Sequence, residues 1–198
     1  MTTAGLDAGL SKVATATDTR QRLLDLAVAL FIRHSFAGTS LQMIADELGF
    51  TKAAIYYHFR TREELLLAVM EPMLHQIDDI VVTAERQRTA RSRADAMIRG
   101  YADFTARNRA VAAVLAFDPS VTGLLQDHPR WRDVIDREIA LLAGVEPGPG
   151  GLIKATAVLT GLAGAATSVV DPDQDALRQQ LLDVGRRILG LRAPRKST

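Results

Sequence analysis

The sequence predicts an all-α fold, in which an N-terminal three-helix domain is joined by a long helix to a C-terminal helical bundle domain. Apolar residues recur at helical spacings of three and four along most of the 198 residues. No segment shows the convincing apolar and polar alternation of a β-strand. Capping residues, glycines and prolines separate the periodic stretches, and 47% apolar residues are enough for a sizeable core.

Three parts are expected along the chain: a flexible N-terminal arm over residues 1–17, a helix-turn-helix domain over residues 18–64 and a second helical domain over residues 65–198. The first part is rich in small and polar residues, as mobile termini often are. The first helix should begin near Asp18, with Gln21 as its capping-box partner. Its buried face should carry Leu24, Val28 and Phe31.

Residues 39–64 have the pattern of a helix-turn-helix followed by the start of a further helix. Thr39 can cap the first helix of the pair, while Gln42 completes a capping box. Gly49 follows the last apolar position of that helix, where a left-handed backbone conformation is easiest for glycine. A tight glycine corner between two short amphipathic helices is typical of a device that reads DNA.

The second helix of the pair should begin after Thr51, a favourable N-cap residue. Ile55 should face inward, while Ala53 and Tyr57 face outward. Outward groups near the start of this helix can reach base edges in a major groove. Lys52 can contact guanine acceptors or a phosphate, and the methyl group of Ala53 can meet a thymine methyl.

Residues 36–69, FAGTSLQMIADELGFTKAAIYYHFRTREELLLAV, together with the preceding helix over residues 18–34, resemble the N-terminal domain of TetR family transcriptional regulators. The IYYHF block and the following REEL carry most of the likeness, and the rest of the chain resembles the family in length and helical character. The family usually has lysine where Arg62 stands, and arginine still offers a phosphate donor. The resemblance implies a sequence-specific DNA-binding regulator, a ligand-responsive repressor that binds a palindromic operator as a dimer.

The same resemblance implies which side chains contact DNA. Tyr56, Tyr57, His58 and Arg62 match positions that contact backbone phosphates, and Gln42 matches one that contacts a base or a phosphate. Simpler alternatives stay open, because Gln42 could be only a capping-box partner, Tyr56 could pack against the first helix, and His58 could be an exposed polar residue. The predicted DNA-binding residues are Ser40, Gln42, Thr51, Lys52, Ala53, Tyr56, Tyr57, His58 and Arg62.

The charge pattern limits how such a protein would hold DNA. The net charge is +1, and residues 1–70 carry seven basic and seven acidic side chains. A protein that binds DNA by bulk charge should be more basic. Binding to DNA would therefore depend on a few well-placed basic side chains and on helix N-termini. A dimer would double the number of these contacts.

Signals for a cellular compartment are few. The absence of cysteine excludes disulfides and thiolate metal sites, and it gives no redox evidence for a compartment. Residues 1–17 do not resemble a secretory signal, so we expect a cytoplasmic protein. Residues 152–170 are apolar but rich in alanine, glycine and threonine, and they include Lys154. We interpret this segment as a buried interface helix rather than a membrane span.

A long fourth helix should open at a capping box formed by Thr61 and Glu64 and continue past the helix-turn-helix domain. Pro72 lies inside it, where proline removes a backbone donor and tends to kink a helix. Two interpretations stay open: a break between two shorter helices, or a bend through which motion in the C-terminal domain reaches the N-terminal domain. Further helices are expected over residues 92–108, 109–116, 129–143, 152–170 and 173–191.

The last two predicted helices carry faces suited to a helical partner. Apolar residues recur at spacings of four and three on the final helix, and small residues lie one turn apart on the helix before it. The core of a monomer is the simpler alternative, whereas in the TetR family the final helix pair forms a four-helix bundle with its copy. The residues predicted at the homodimer interface are Ala157, Gly161, Ala165, Leu177, Leu181, Val184 and Ile188.

Residues 65–198 are therefore expected to form a ligand-binding and dimerisation domain with an apolar pocket. Aromatic and apolar side chains that fall on facing helices could enclose it, although simple core packing is the alternative. The family expectation is a small apolar or amphipathic effector. The predicted lining residues are Met97, Tyr101, Phe104, Phe117, Trp131 and Ile135.

Catalytic signatures are absent from the sequence, which contains no H-E-x-x-H, no glycine-rich phosphate loop and no G-x-S-x-G. Its four histidines are scattered. We therefore expect no enzyme, no cofactor and no metal site. The remaining alternative is a helical adaptor that binds another protein through the apolar stripe of its final helix and never contacts DNA.

Overall fold

The structure, a computed structural model, describes residues 4–109, 111–112, 118–170 and 173–191, with side chains from residue 18 onward. Within these ranges the chain forms nine helices and no strand, which confirms the all-α prediction. The helices are α1 (Ala4–Gly38), α2 (Leu41–Leu48), α3 (Lys52–His58), α4 (Arg62–Glu85), α5 (Ala90–Arg107), α6 (Pro119–Asp127), α7 (Pro129–Ala143), α8 (Pro149–Ser168) and α9 (Gln174–Ile188).

The chain divides into two compact units, Met1–Glu71 and Pro72–Thr198. We call them unit 1 and unit 2. The division between the two units falls within helix α4, and so does the domain boundary expected after residue 64. It runs through Pro72 without a break, so the interpretation of two separate shorter helices is wrong.

Helix α1 begins earlier than the sequence predicts. Its backbone is helical from Ala4, whereas the prediction places its start near Asp18. Near its other end Ser35 leaves the helical conformation, with φ 63° and ψ 166°, and the chain kinks there. The expected arm over residues 1–17 stays a prediction.

The cap of α2 corrects the sequence prediction by one residue. Helix α2 begins at Leu41, and the Ser40 side chain accepts a hydrogen bond from the Met43 N–H at 3.1 Å. Ser40 is therefore the N-cap in place of Thr39. The predicted capping box with Gln42 is wrong, because Thr39 is not the N-cap.

Thr39 stabilises the path from α1 to α2 in another way. Its side chain is buried, and its hydroxyl group donates to the carbonyl oxygens of Leu30 at 3.2 Å and Ser35 at 2.8 Å. The prediction that Thr39 caps α2 is therefore wrong, because its hydrogen bonds run back to α1.

The corner between α2 and α3 confirms the predicted role of Gly49. This residue has φ 67° and ψ 27°, in the left-handed region. Its N–H donates to the Asp46 carbonyl at 3.2 Å, and the Phe50 N–H donates to the Ala45 carbonyl at 2.9 Å. These two bonds close the end of α2 as in a Schellman motif.

Helix α3 follows the sequence prediction closely. The Thr51 hydroxyl accepts from the Ala54 N–H at 3.3 Å and caps the helix. Ile55 is 1% exposed and packs inward, as do Ile44 and Ala45 of α2. Because Ile55 is fixed in the core, the opposite face of this short helix is held in one orientation.

Unit 2 contains a helix that was not predicted from the sequence. Helix α6 begins at Pro119, and the Asp118 carboxylate accepts from the Ser120 N–H at 3.0 Å. An aspartate N-cap followed by proline at the first helical position is a favourable start signal. Helix α5 also begins earlier than predicted, because Thr89 and Ser92 form a capping box. The expected helix over residues 109–116 lies largely outside the described residues.

Ion pairs fix the helices of unit 2 at two places. Arg186 of α9 contacts Asp95 of α5 at 2.7 Å, in a largely buried pair. Arg137 of α7 contacts Asp78 at 2.8 Å and binds both carboxylate oxygens of Glu85, at 2.8 and 2.9 Å. The hydrogen bonds from Arg137 hold the pKa of Glu85 below its ordinary value. These contacts set the orientation of α7.

None of the helices in the described ranges has the length and apolarity needed to cross a membrane.

Candidate functional site

The outer face of α3 is exposed over its whole length. Lys52 and Ala53 at its start are exposed, and Tyr57 one turn later is 84% exposed. Ile55 of the same helix is 1% exposed, so the two faces are sharply separated. The sequence predicted this division, and the structure confirms it.

The tyrosine pair and His58 form the far end of this face. Tyr56 is 44% exposed, with the Lys52 ammonium group 5.6 Å from its ring centre. The rings of Tyr57 and His58 lie edge to face at 5.2 Å. His58 itself is half-buried. Cation–π and edge-to-face contacts of this kind order the side chains while their polar ends remain accessible.

The remaining predicted residues lie at helix starts near this face. Ser40 and Thr51 are exposed, although their hydroxyl groups already accept from helix N–H groups. Gln42 is exposed on α2 and donates to the Asp46 carboxylate at 2.7 Å. Both helix starts therefore present polar groups next to exposed N-terminal turns.

Arg62 has an intramolecular role that the sequence analysis did not predict. Its Nη1 donates to the carbonyl oxygens of Phe36, Ala37 and Thr39 at 3.4, 2.9 and 3.4 Å. Its guanidinium group also lies 4.8 Å from the Phe36 ring centre. Arg62 thus satisfies the free carbonyl groups at the end of α1. No local sequence signal reveals this, because the partners lie more than twenty residues earlier.

Unit 2 contains a cavity of about 240 Å³, here called the unit 2 cavity. Four of the predicted lining residues contribute to its wall: Tyr101, Phe104, Trp131 and Ile135. Met97 is fully buried elsewhere in the core, and Phe117 lies outside the described residues. The other described lining residues are Ile77, Ala112, Thr122, Leu125, Gln126, Glu138, Ile139, Thr156, Leu159, Thr160 and Ala163.

Two polar side chains contribute to this wall: Tyr101 is half-buried and Glu138 is almost fully buried. The Tyr101 hydroxyl group donates to the Leu159 carbonyl at 3.0 Å. Glu138 is 5% exposed, and its Oε1 has no hydrogen-bond partner among the described residues. Burial raises the pKa of Glu138 to about 8. Glu138 was not predicted from the sequence, although a glutamate on the apolar face of α7 is a signal that could have revealed it.

The residues predicted at a homodimer interface separate into two groups. Ala157, Gly161 and Ala165 lie exposed on α8, and Val184 is exposed on α9. The other three are wholly or partly covered by the chain itself: Leu177 and Leu181 are each 3% exposed, and Ile188 is half-buried. The two leucines therefore belong to the core of unit 2, as the simpler alternative held.

Comparison with known proteins agrees with this architecture. Residues 23–69 match the family model for bacterial regulatory proteins of the tetR family. The transcriptional regulator SrpR of Pseudomonas putida is 35% identical over 65 residues, which are 33% of this chain and 30% of SrpR. The chain matches less than half the length of such curated relatives.

Solved structures extend the likeness to most of the chain. SCO3833 of Streptomyces coelicolor, a member of the TetR family, has a TM-score of 0.67 at 22% identity, covering 86% of this chain and 91% of its own. AibR, solved with isovaleryl coenzyme A and operator DNA, has a TM-score of 0.60 at 18% identity, covering 83% and 96%. At these identities the likeness concerns the fold.

The fold and the exposed face of α3 define a helix-turn-helix protein with a separate helical unit. Residues 23–69 therefore form a helix-turn-helix domain similar to that of bacterial regulatory proteins of the tetR family. The curated relatives that match this part of the chain are named transcriptional regulators, a family that is not enzymatic.

Proposed function

We propose that this protein is a sequence-specific DNA-binding transcriptional regulator, a repressor that binds a palindromic operator as a dimer and is released by a small apolar or amphipathic effector. The observation that carries the proposal is the exposed face of α3, with Lys52, Ala53 and Tyr57 outward and Ile55 fixed in the core. The match of residues 23–69 to the tetR family model supports it.

Helix α3 would act as the recognition helix in the major groove. Lys52 and Ala53, at its start, would meet base edges, while Tyr56, Tyr57 and His58 would meet backbone phosphates. A good base contact discriminates by about 1–3 kcal/mol, whereas phosphate contacts mainly set register and salt dependence. Arg62 offers less to DNA than the sequence suggests, because its Nη1 donates to the end of α1.

A homodimer would supply the affinity for DNA that unit 1 of a single chain lacks. Residues 1–70 have no net charge, so a single copy has little bulk attraction for DNA. The small exposed residues Ala157, Gly161 and Ala165 of α8 would let a second copy approach closely. Two recognition helices related by a two-fold axis would then enter successive major grooves about 34 Å apart, which requires a palindromic target.

The unit 2 cavity would hold the effector. Its largely apolar and aromatic wall suits an apolar or amphipathic molecule. The structure of AibR with isovaleryl coenzyme A and operator DNA shows that one protein of the same fold binds both a small molecule and DNA. An effector that prefers a conformation with poorly placed recognition helices would weaken operator binding, typically by about 1–3 kcal/mol.

Gel-shift titrations with genomic fragments test the proposal. The wild-type protein should retain selected fragments in a salt-sensitive manner. Lys52→Ala and Tyr57→Ala should each weaken the selected complex by about tenfold or more, and Lys52→Ala should reduce the slope of log affinity against log salt by about 1.

Arg86→Ala is the matched control, because it removes one exposed positive charge from unit 2 and should leave affinity nearly unchanged. If both α3 variants bind as tightly as the wild type, the assigned DNA-binding face is wrong. If no fragment is retained selectively, the regulator is rejected and the adaptor alternative stands.

A further inference from the structure

Glu138 places a carboxyl group without a counter-charge on the wall of the unit 2 cavity. Its side chain is almost fully buried, and its Oε1 has no hydrogen-bond partner in the described part of the chain. No lysine, arginine or histidine is among the described lining residues. Burying an unpaired carboxyl group costs free energy of folding. A buried carboxyl group of this kind therefore indicates a bound ligand that supplies the missing hydrogen-bond or ionic partner.

The surroundings of Glu138 favour a cation as that partner. Tyr101, Phe104 and Trp131 line the same cavity, and the faces of aromatic rings attract organic cations. The Tyr101 hydroxyl group already donates to the Leu159 carbonyl, so this donor is engaged with the backbone. An anionic ligand would meet a carboxyl group and no basic side chain on the described wall.

We propose that the unit 2 cavity binds small organic cations, each an ammonium group on an apolar or aromatic body, and that Glu138 is their counter-ion. The inference that such a cation is the effector rests on the proposed function. The inference that the cavity binds the cation rests on the geometry of the cavity alone.

The cavity also sets the size of the ligand and its route of entry. Its volume of about 240 Å³ lies just below the roughly 300–1,000 Å³ range of ligand pockets, which favours a ligand with one ring and a short chain. Four lining residues are exposed, so within one chain the cavity reaches the surface beside α6 and α8. These residues are Thr122, Gln126, Thr156 and Thr160.

Cation binding should be coupled to loss of a proton. Because burial raises the pKa of Glu138 to about 8, its carboxyl group is mostly protonated at pH 7 without a ligand. A permanent cation stabilises the carboxylate, so binding expels the proton. Its apparent affinity should fall as pH drops below 8, approaching about tenfold per pH unit, and should level off above pH 8.

The other helices bring one further titratable side chain to the described wall around Glu138. This group is Tyr101, and burial raises its pKa further above its ordinary value, so it stays neutral near pH 7–8. The other described lining residues carry no titratable side chain, and they include Ile77 of α4, Phe104 of α5, Thr122 and Gln126 of α6, and Thr156 and Thr160 of α8. Charged groups on these helices pair as Asp95 with Arg186, Asp103 with Arg107, Lys154 with Glu146, and Arg137 with Asp78 and Glu85.

Isothermal titration calorimetry of the full chain tests the site with three probes. They are 3-phenylpropyltrimethylammonium, its uncharged tert-butyl isostere and the anion 4-phenylbutyrate. Glu138→Gln keeps the shape of the side chain and removes its charge. Asp136→Asn, at an exposed position of the same helix, is the matched control because it removes the same charge outside the cavity.

The ammonium probe should bind the wild type and Asp136→Asn equally well, and Glu138→Gln at least about tenfold more weakly. The uncharged isostere should bind all three proteins alike, and 4-phenylbutyrate should be rejected. Titrations at pH 7 in buffers of different ionisation enthalpy should show net proton release on cation binding by the wild type and none by Glu138→Gln. Far-UV circular dichroism checks that each variant is folded.

The site is overturned if the ammonium probe binds Glu138→Gln as tightly as the wild type, if the anion is preferred, or if the wild type binds no ammonium probe. Operator affinity, measured on the same samples, separates this inference from the proposed function. If cations bind through Glu138 but operator affinity does not change, the cation site is supported and its role as the effector site is rejected. Absence of operator binding removes the proposed function, while the calorimetry still decides the site.

Discussion

Gly49 is the residue on which the placement of α3 depends most directly. It holds a positive φ at the corner, and no atom lies within 4 Å of the position that a Cβ would take. A side chain here would therefore meet no steric obstacle, and its cost would come from backbone conformation alone. Gly123, in the middle of α6, has the same open space but no positive φ, so the two glycines differ in the property that matters.

Gly49→Ala should lower the free energy of unfolding of unit 1 by about 1–2 kcal/mol, because a non-glycine residue is strained in the left-handed region. Gly123→Ala should instead stabilise unit 2 by about 0.5–1 kcal/mol through helix propensity. Urea denaturation followed by circular dichroism measures both. A stabilising Gly49→Ala would show that the corner does not require this backbone conformation.

The structural roles of residues were predicted correctly where their hydrogen-bond partners lie nearby in the sequence. The Gly49 corner and the Thr51 cap follow from interactions within a few positions, and both are confirmed. Arg62 and Glu138 were not understood from sequence. The carbonyl groups that Arg62 serves are distant in sequence, and the burial of Glu138 depends on how several helices pack around it.

Among the elements, helix α8 combines a buried face with an exposed face of small residues. Ala155, Val158 and Leu162 are in the core of unit 2, whereas Ala157 and Gly161 are exposed. A Cβ at Gly161 would meet nothing within 4 Å in the single chain. The other described residues of the chain therefore do not cover this face of α8. A close contact with a second copy would require such an uncovered face.

Gly161→Glu should leave the folded chain intact and weaken the proposed homodimer by about tenfold or more, because the two-fold axis would bring two added carboxylates close together. Gly123→Glu is the control, since it adds the same charge at an open position of α6. Sedimentation equilibrium measures the dimer dissociation constant of both. Equal dimerisation of the wild type and Gly161→Glu would remove α8 from the interface.

Helix prediction succeeded or failed according to the strength of the apolar repeat. Helices α7, α8 and α9 were predicted to within a few residues, because each carries a long apolar repeat with clear breakers. Helix α6 was missed because it is only 9 residues long and its apolar repeat is correspondingly short. The apolar stripe of α9 was recognised, but periodicity alone does not decide whether such a stripe contacts its own chain or a partner.

At the scale of the whole molecule, a near-neutral protein is proposed to select one DNA sequence by geometry. The chain has a net charge of +1, so bulk attraction contributes little and placement of a few groups must supply the selectivity. Placement is useful only if two copies present α3 at a fixed separation. The central claim is therefore that the protein reads a two-fold symmetric site through α3.

Selection of bound DNA from a random pool tests this claim most directly. The enriched DNA should be an inverted repeat, with half-site centres separated by about 10–10.5 base pairs or a multiple of that spacing. Enrichment should be lost when Lys52 and Tyr57 are both replaced by alanine. Enrichment of an asymmetric site, equal enrichment by the double variant, or no enrichment at all would contradict it.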